Sequence, residues 1–233
     1  MELTDRIKNK SYDKSIDSHL LKTYQEFLCL AVLKYVCGDE YQSFHHADAP
    51  DLQDQNNKIG IEVTQAIEPK DAQTAGEHIR FFESDDKNIR AKSRSKIEAN
   101  GGMLFENGAL VLKPKSREQI RNVIVNSYTD KCTMIPEYQK NGFHTLGLCI
   151  YHQEHLSVEI QKQCFSWLKD ARNESTPQYD FAIIVHFMGV MIFDFAKGEM
   201  KSYEIEEDVM DTLGVLARMT AEGEVKEDDP VWL

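Results

Sequence analysis

The chain reads as a mixed α/β protein in which helices cover both faces of a central sheet. Three observations lead there. Apolar residues recur at helical spacing over about 18–37, 116–132 and 157–171. Alternating or continuous apolar runs mark strands at 143–151, 180–187 and 190–195. The two kinds of segment interleave, in the order helix, hairpin, helix, small hairpin, helix, strand, helix, strand, strand.

In the first helix, Leu20, Leu21, Tyr24, Phe27, Leu28, Ala31, Leu33 and Tyr35 supply apolar faces that nearly surround its second half, so a central packed helix is expected. Gly38 stops it. A hairpin with strands near 47–54 and 59–67 comes next, ended by Glu68-Pro69-Lys70. Residues 71–97 read as a highly charged, weakly amphipathic helical stretch. Met103-Leu-Phe and Ala109-Leu-Val-Leu flank Glu106-Asn107-Gly108 as a small hairpin. Ser116-Arg117-Glu118 opens a helix that buries Ile120, Val123, Ile124, Ser127 and Tyr128. Ser157 caps another that buries Ile160, Cys164, Trp167 and Leu168. The expected organisation is a loosely held polar arm over 1–16, one α/β domain over 17–200 with a helical and hairpin insertion at about 70–115, and an acidic C-terminal segment over 201–233 that stays in water, with a short helix near Asp208–Met219. Trp232 reads either as part of a frayed or self-packed terminus or as a docking peg for a partner.

At 233 residues, 41% hydrophobic and 28% charged, the chain is long enough to bury a substantial core. No apolar run approaches the roughly 20 residues that span a bilayer, and five scattered cysteines without a CxxC pair fit reduced thiols. A cytoplasmic protein with no membrane partner is expected. The net charge of −12 is unevenly spread. Residues 87–121 hold nine bases and three acids, and residues 194–229 hold twelve acids and four bases. The middle therefore suits phosphates, through Lys87, Arg90, Lys92, Arg94, Lys96, Lys113, Lys115 and Arg117.

The most specific chemistry lies around residues 51–64. If Asn56 and Asn57 are the turn residues of a symmetric hairpin, Leu52 faces Ile61 and Asp51 faces Glu62. Two carboxylates directly opposite each other repel, and the arrangement adds nothing to a fold. A hard divalent cation between them reverses the sign. His45-His46, just before, suit general-base or phosphate-binding roles. His152-Gln153-Glu154-His155 matches no zinc spacing, and neither a G-x-S-x-G elbow nor a P-loop is present.

Pro50-Asp51 followed by Glu62-Val63-Thr64 on the next strand, with a helix before and a helix and strand after, resembles the PD-(D/E)xK nuclease superfamily. The likeness in element order covers about residues 18–195. It implies a restriction-endonuclease-like fold, a central mixed sheet flanked by helices, and a Mg²⁺- or Mn²⁺-dependent nuclease. Asp51 and Glu62 would hold the metal. Glu26, the acid inside the first helix, matches an added ligand used by some members. The substrate implied is nucleic acid, DNA before RNA, and many such enzymes act as homodimers. Thr64 stands where the motif has Lys, on the Glu62 face of its strand. The missing cation then comes from a helix, with Lys70, Lys92, Lys96 and Lys131 as candidates and Lys131 favoured, or it is dispensable, or catalysis has been lost. The alternatives are a non-catalytic protein of the same fold that binds a protein or nucleic acid, and an acidic interaction protein using the 194–229 surface.

Overall fold

The computed structural model describes residues 5–8, 10–12, 16–173 and 175–232. In chain order the elements are helix α1 (Asp5–Lys8), helix α2 (Leu21–Cys37), strands β1 (His45–His46), β2 (Leu52–Asp54) and β3 (Ile59–Gln65), helices α3 (Pro69–Glu83) and α4 (Lys87–Ala99), strands β4 (Met103–Leu104) and β5 (Leu110–Val111), helices α5 (Arg117–Lys131) and α6 (Ile135–Lys140), strand β6 (Thr145–His152), helix α7 (Val158–Ala171), strands β7 (Phe181–His186), β8 (Gly189–Asp194) and β9 (Glu199–Glu204), and helix α8 (Glu207–Ala221). Among the described residues no helix is long and apolar enough to cross a membrane.

The chain divides into two compact units, one of residues 1–66 with 124–233 and one of residues 67–123. The larger is built on a seven-stranded mixed sheet, ordered β1-β2-β3-β6-β7-β8-β9. The β3–β6 and β6–β7 pairs are parallel and the others antiparallel. One face carries Ile61, Val63, Cys149, Ile183, Val185 and Val190 into a core shared with α2 and α8. On the other, Phe165 of α7 stacks on Phe193 at 5.9 Å, and Tyr128 of α5 meets Tyr179 and Phe195 edge-on. The sequence reading of an α/β sheet flanked by helices therefore holds.

Residues 28–33 of α2 are each less than 5% exposed, as expected of a helix that is apolar nearly all round. Three sequence expectations need revision. The arm is anchored in its described part, where Ile7 is buried, Lys10 pairs with Glu224 at 2.8 Å, and the Arg218 guanidinium lies 3.7 Å from the Tyr12 ring centroid. The acidic segment is not a solvated tail. Met210, Leu213, Leu216, Ala217 and Met219 of α8 are buried at helical spacing while its acids face outward. The ninth strand escaped notice because it is an edge, with a mostly exposed Glu-Met-Lys-Ser-Tyr-Glu sequence that lacks an apolar face. Trp232 packs against Phe27 at 5.9 Å and is fully buried.

The second unit, residues 67–123, spans the expected insertion. Helices α3 and α4 pack together with the β4–β5 hairpin over Phe81, Ile97 and Leu104.

Candidate active site

The β2–β3 hairpin positions the two central carboxylates. Leu52 pairs with Ile61 and Asp54 with Ile59, the register anticipated, so Asp51 falls opposite Glu62. The connection is a four-residue turn, 55–58, rather than a two-residue one. Its centre is unchanged, which is why the register survives. Asp54 builds that turn: its carboxylate accepts from the Asn56 and Asn57 backbone N–H groups at 3.0 and 3.1 Å, and from the Asn57 side-chain amide at 2.7 Å. Gly60 is required for close approach, since a Cβ there would lie 2.4 Å from Cγ of Pro50. The proline ring seated over Gly60 holds Asp51 against β3. Asp51 Oδ2 then accepts the Val63 N–H at 2.8 Å.

Helix α2 brings the third carboxylate. Glu26 is 4% exposed, and Lys22, one turn earlier, lies 3.0 Å from Glu26 Oε1 and 3.1 Å from Asp51 Oδ1. The contact with Asp51 is a hydrogen bond. That with Glu26 is an ion pair whose angle leaves Oε1 without one. His46 of β1 lies with Nε2 2.7 Å from Glu26 Oε2, and its backbone N–H donates to Glu227 at 2.8 Å. The favoured lysine sits at the other end of the site. Lys131, the last residue of α5, places Nζ 2.5 Å from Glu62 Oε1, and the Tyr138 hydroxyl donates to Glu62 Oε2 at 2.6 Å. Tyr179 donates to the Lys131 carbonyl at 3.0 Å and fixes the end of α5.

The electrostatics are uneven. Burial and the neighbouring Glu62 charge push Asp51 up to about 7, against the Val63 hydrogen bond and Lys22. Burial also opposes ionisation of Glu26, but the hydrogen bond of His46 and the ion pair with Lys22 outweigh it and bring its carboxyl down to about 2. Its bond to Glu26 raises His46. Burial, then Glu62, raises the Tyr138 hydroxyl, which stays a donor. Three carboxylates are thus buried beside two lysines, and Asp51 carries the surplus negative charge as a raised pKa.

Two carboxylates facing one another, with oxygen donors only, fit Mg²⁺ or Mn²⁺ held by one or two protein ligands with waters completing the shell. Among the described residues no group of three His, Cys, Asp or Glu side chains is arranged as a full cage. Asp51 and Glu62 are the pair that fits, and Glu26 stands behind Asp51, tied up by His46 and Lys22. Thr64 is half-buried on β3, two residues beyond Glu62.

The other predicted residues lie in the second unit. Lys87, Arg90, Lys92, Lys113 and Arg117 are exposed there. Arg94, Lys96 and Lys115 are committed to structure: Arg94 Nη1 donates to the Leu104 carbonyl at 3.0 Å, Lys96 pairs with Glu77, and Lys115 pairs with Asp71 at 2.8 Å with its side chain 7% exposed. These three are withdrawn as free phosphate contacts, because a cation spent on a local carboxylate or carbonyl gains little from a phosphate. Lys70 also belongs to that unit. Sequence reasoning missed Lys22 and Tyr138. The i,i+4 spacing of Lys22 and Glu26 was legible; nothing local marks Tyr138, which meets Glu62 across 76 residues. His152 and His186, paired across β6 and β7, form a separate buried pair, and the ring of exposed His155 lies 5.8 Å from that of His186. Burial, then these two neighbours, lowers His186 to about 4.

No protein-family profile, curated protein or solved structure matches the chain.

Proposed function

We propose that the chain is a metal-dependent nuclease of the PD-(D/E)xK kind, hydrolysing phosphodiesters, DNA in preference to RNA. One observation carries the reading: Asp51 and Glu62 are buried opposite each other across a hairpin, and the Asp51 carboxyl is pushed to about 7. A raised carboxylate beside a like charge is a cost to the fold, and such groups cluster at functional sites. Mg²⁺ or Mn²⁺ held by Asp51 and Glu62 supplies an activated water and charge neutralisation at the phosphate when bound.

The remaining residues have distinct tasks. Lys131 stands in for the motif lysine: its ammonium reaches Glu62 from the end of α5, while Thr64 occupies the strand position. Tyr138 and Lys131 orient the two Glu62 oxygens, and the Val63 N–H orients Asp51. Lys22 holds Asp51 and Glu26 together and keeps positive charge at the mouth of the site, where its side chain is 70% exposed. Glu26 is less a ligand than the anchor of Lys22 and His46.

The test is cleavage of supercoiled, linear and single-stranded DNA and of RNA with Mg²⁺, Mn²⁺ or EDTA, beside Asp51→Ala and Glu62→Ala. Metal-dependent cutting lost in both variants is expected. Absence of cutting on every substrate, with wild type and variants alike, favours the non-catalytic binding protein instead. That second reading draws on Lys22 and Lys131 already sitting on the two carboxylates.

A further inference from the structure

The β4–β5 hairpin of the second unit is apolar on both faces. Leu104 and Leu110, paired across it, turn toward Phe81 and Ile97. Side chains alternate along a strand, so Met103 and its partner Val111 point the other way, and Phe105 follows Met103. Met103 is 61% exposed, Phe105 48% and Val111 46%. At the hairpin's turn the ring of Phe82, 50% exposed, lies over Gly108, where a Cβ would come within 2.2 Å of it and φ is +86°. His78 Nε2, 2.9 Å from the Gly108 carbonyl, ties the same turn to α3. Of seven large hydrophobic side chains exposed among the described residues, four are therefore in this 57-residue unit and cluster on one hairpin. One face of the hairpin is buried against α3 and α4, and the other is exposed.

The surroundings say what covers it. Exposed Lys87, Arg90 and Lys92 line α4, and Lys113 follows β5, its side chain lying against Gly101. Arg94 holds the carbonyl of Leu104, the residue before Phe105, so the basic helix meets the edge of the hairpin. Of the acids nearest in sequence, Asp86 is spent capping α4 through the Asn88 N–H at 2.7 Å and Glu98 lies 4.0 Å from Arg94; Glu83, Asp85 and Glu106 are exposed. Cations beside aromatic rings suit a polymer with phosphates and accessible base faces. Paired bases hide those faces in the stack, and unpaired bases offer them.

We propose that the Met103–Phe105–Val111 face with Phe82 is a stacking platform for single-stranded nucleic acid, the backbone running along Lys87, Arg90, Lys92 and Lys113. The proposal shares with the nuclease reading only the class of polymer bound, and it specifies that an unpaired segment is preferred.

The test is fluorescence anisotropy of the full chain in EDTA with a 20-nucleotide oligothymidylate and with its duplex with oligoadenylate. Wild type is expected to hold the single strand at least about tenfold more tightly, in keeping with 1–3 kcal/mol per stacked base. Met103→Ser with Phe105→Ser, both at exposed positions, should lose about tenfold on the single strand and leave the duplex unchanged, while Phe105→Trp should retain the preference. Equal affinity for strand and duplex, a loss common to both, or a change in sedimentation showing that a second copy occupies the face each overturns the platform. Retained single-strand preference in a protein that cuts nothing leaves the platform standing and removes the nuclease. Cleavage abolished by Asp51→Ala, with binding indifferent to Phe105, does the reverse.

Discussion

Asp51 and Glu77 are both buried carboxylates, one in each unit, and they are treated in opposite ways. Glu77 accepts from Ser93 at 2.8 Å and pairs with Lys96, so its carboxyl lies below the ordinary value, Lys96 being the main cause. Asp51 has a lysine and a backbone N–H and still rises to about 7, because burial and Glu62 outweigh them. The surrounding units differ in the same sense. Residues 67–123 hold eleven Lys and Arg against nine Asp and Glu, and the rest of the chain holds sixteen against thirty. A buried acid that is fully compensated is part of the scaffold. One left under repulsion, with its backbone held in register, is a candidate functional position.

The largest effect that can break this contrast is on cleavage. Asp51→Ala should lower the metal-dependent rate by at least about a thousandfold, comparable to the loss of a principal charge-stabilising group. Glu77→Gln should leave it within about threefold, since surface-unit packing alone changes. Equal losses in initial-rate assays of the two variants would mean that burial, not the Glu62 juxtaposition, is what matters.

Lys131→Ala comes next. If Lys131 replaces the motif lysine, the rate falls about a hundredfold, within the range for a positioned proton-transfer or charge-bearing group, and Thr64→Ala costs much less. The reverse ranking in the same kinetic assay assigns the role to the strand position.

A smaller effect sharpens the electrostatic half of the comparison in metal-free protein. The folded-state pKa of Asp51 lies above its ordinary 3.8, so its contribution to stability is complete below pH 4 and is lost as pH rises toward about 7. Asp51→Asn removes that loss, and its melting temperature should exceed that of wild type by a few degrees at pH 8 (~2–5 °C) while converging with it near pH 4. For Glu77 the sign is opposite. A lowered pKa contributes stability above its ordinary 4.5 that is lost as pH falls, so Glu77→Gln should be less stable than wild type at pH 7 and should approach it in acid. Thermal melts in EDTA between pH 4 and 8 check both slopes.

The smallest effect concerns the surface cations. Lys92→Ala should weaken nucleic-acid binding only about two- to threefold and reduce the slope of log affinity against log salt by about one. Lys115→Ala should leave that slope unchanged, because its ammonium is held by Asp71. A salt titration distinguishes the two.

Legibility in the sequence followed the range of the interaction. The hairpin register was readable because period-two alternation and a symmetric turn tie residue 51 to residue 62 over a short loop, even though the turn has four residues. α2 was readable from its density of apolar residues, and the strands at 181–186 and 189–194 from theirs. Lys131 was favoured among four lysines only for its place just before a strand, since nothing local distinguishes a cation that meets a carboxylate 69 residues away. The basic run was overcounted for the same reason: composition does not reveal that Lys96 and Lys115 face Glu77 and Asp71.

What the sequence determined by itself is the α/β alternation, the opposition of Asp51 and Glu62, and the uneven distribution of charge, all products of local periodicity and composition. The tertiary structure decided which side chains complete the site. Lys22 and Glu26 arrive from α2, His46 from β1, and Lys131 and Tyr138 from α5 and α6, brought together by packing over separations of up to 76 residues. It also decided that an acidic C-terminal stretch becomes a core helix and a buried Trp232, because an amphipathic helix gains more by burying five apolar side chains than its outward acids lose by remaining in water.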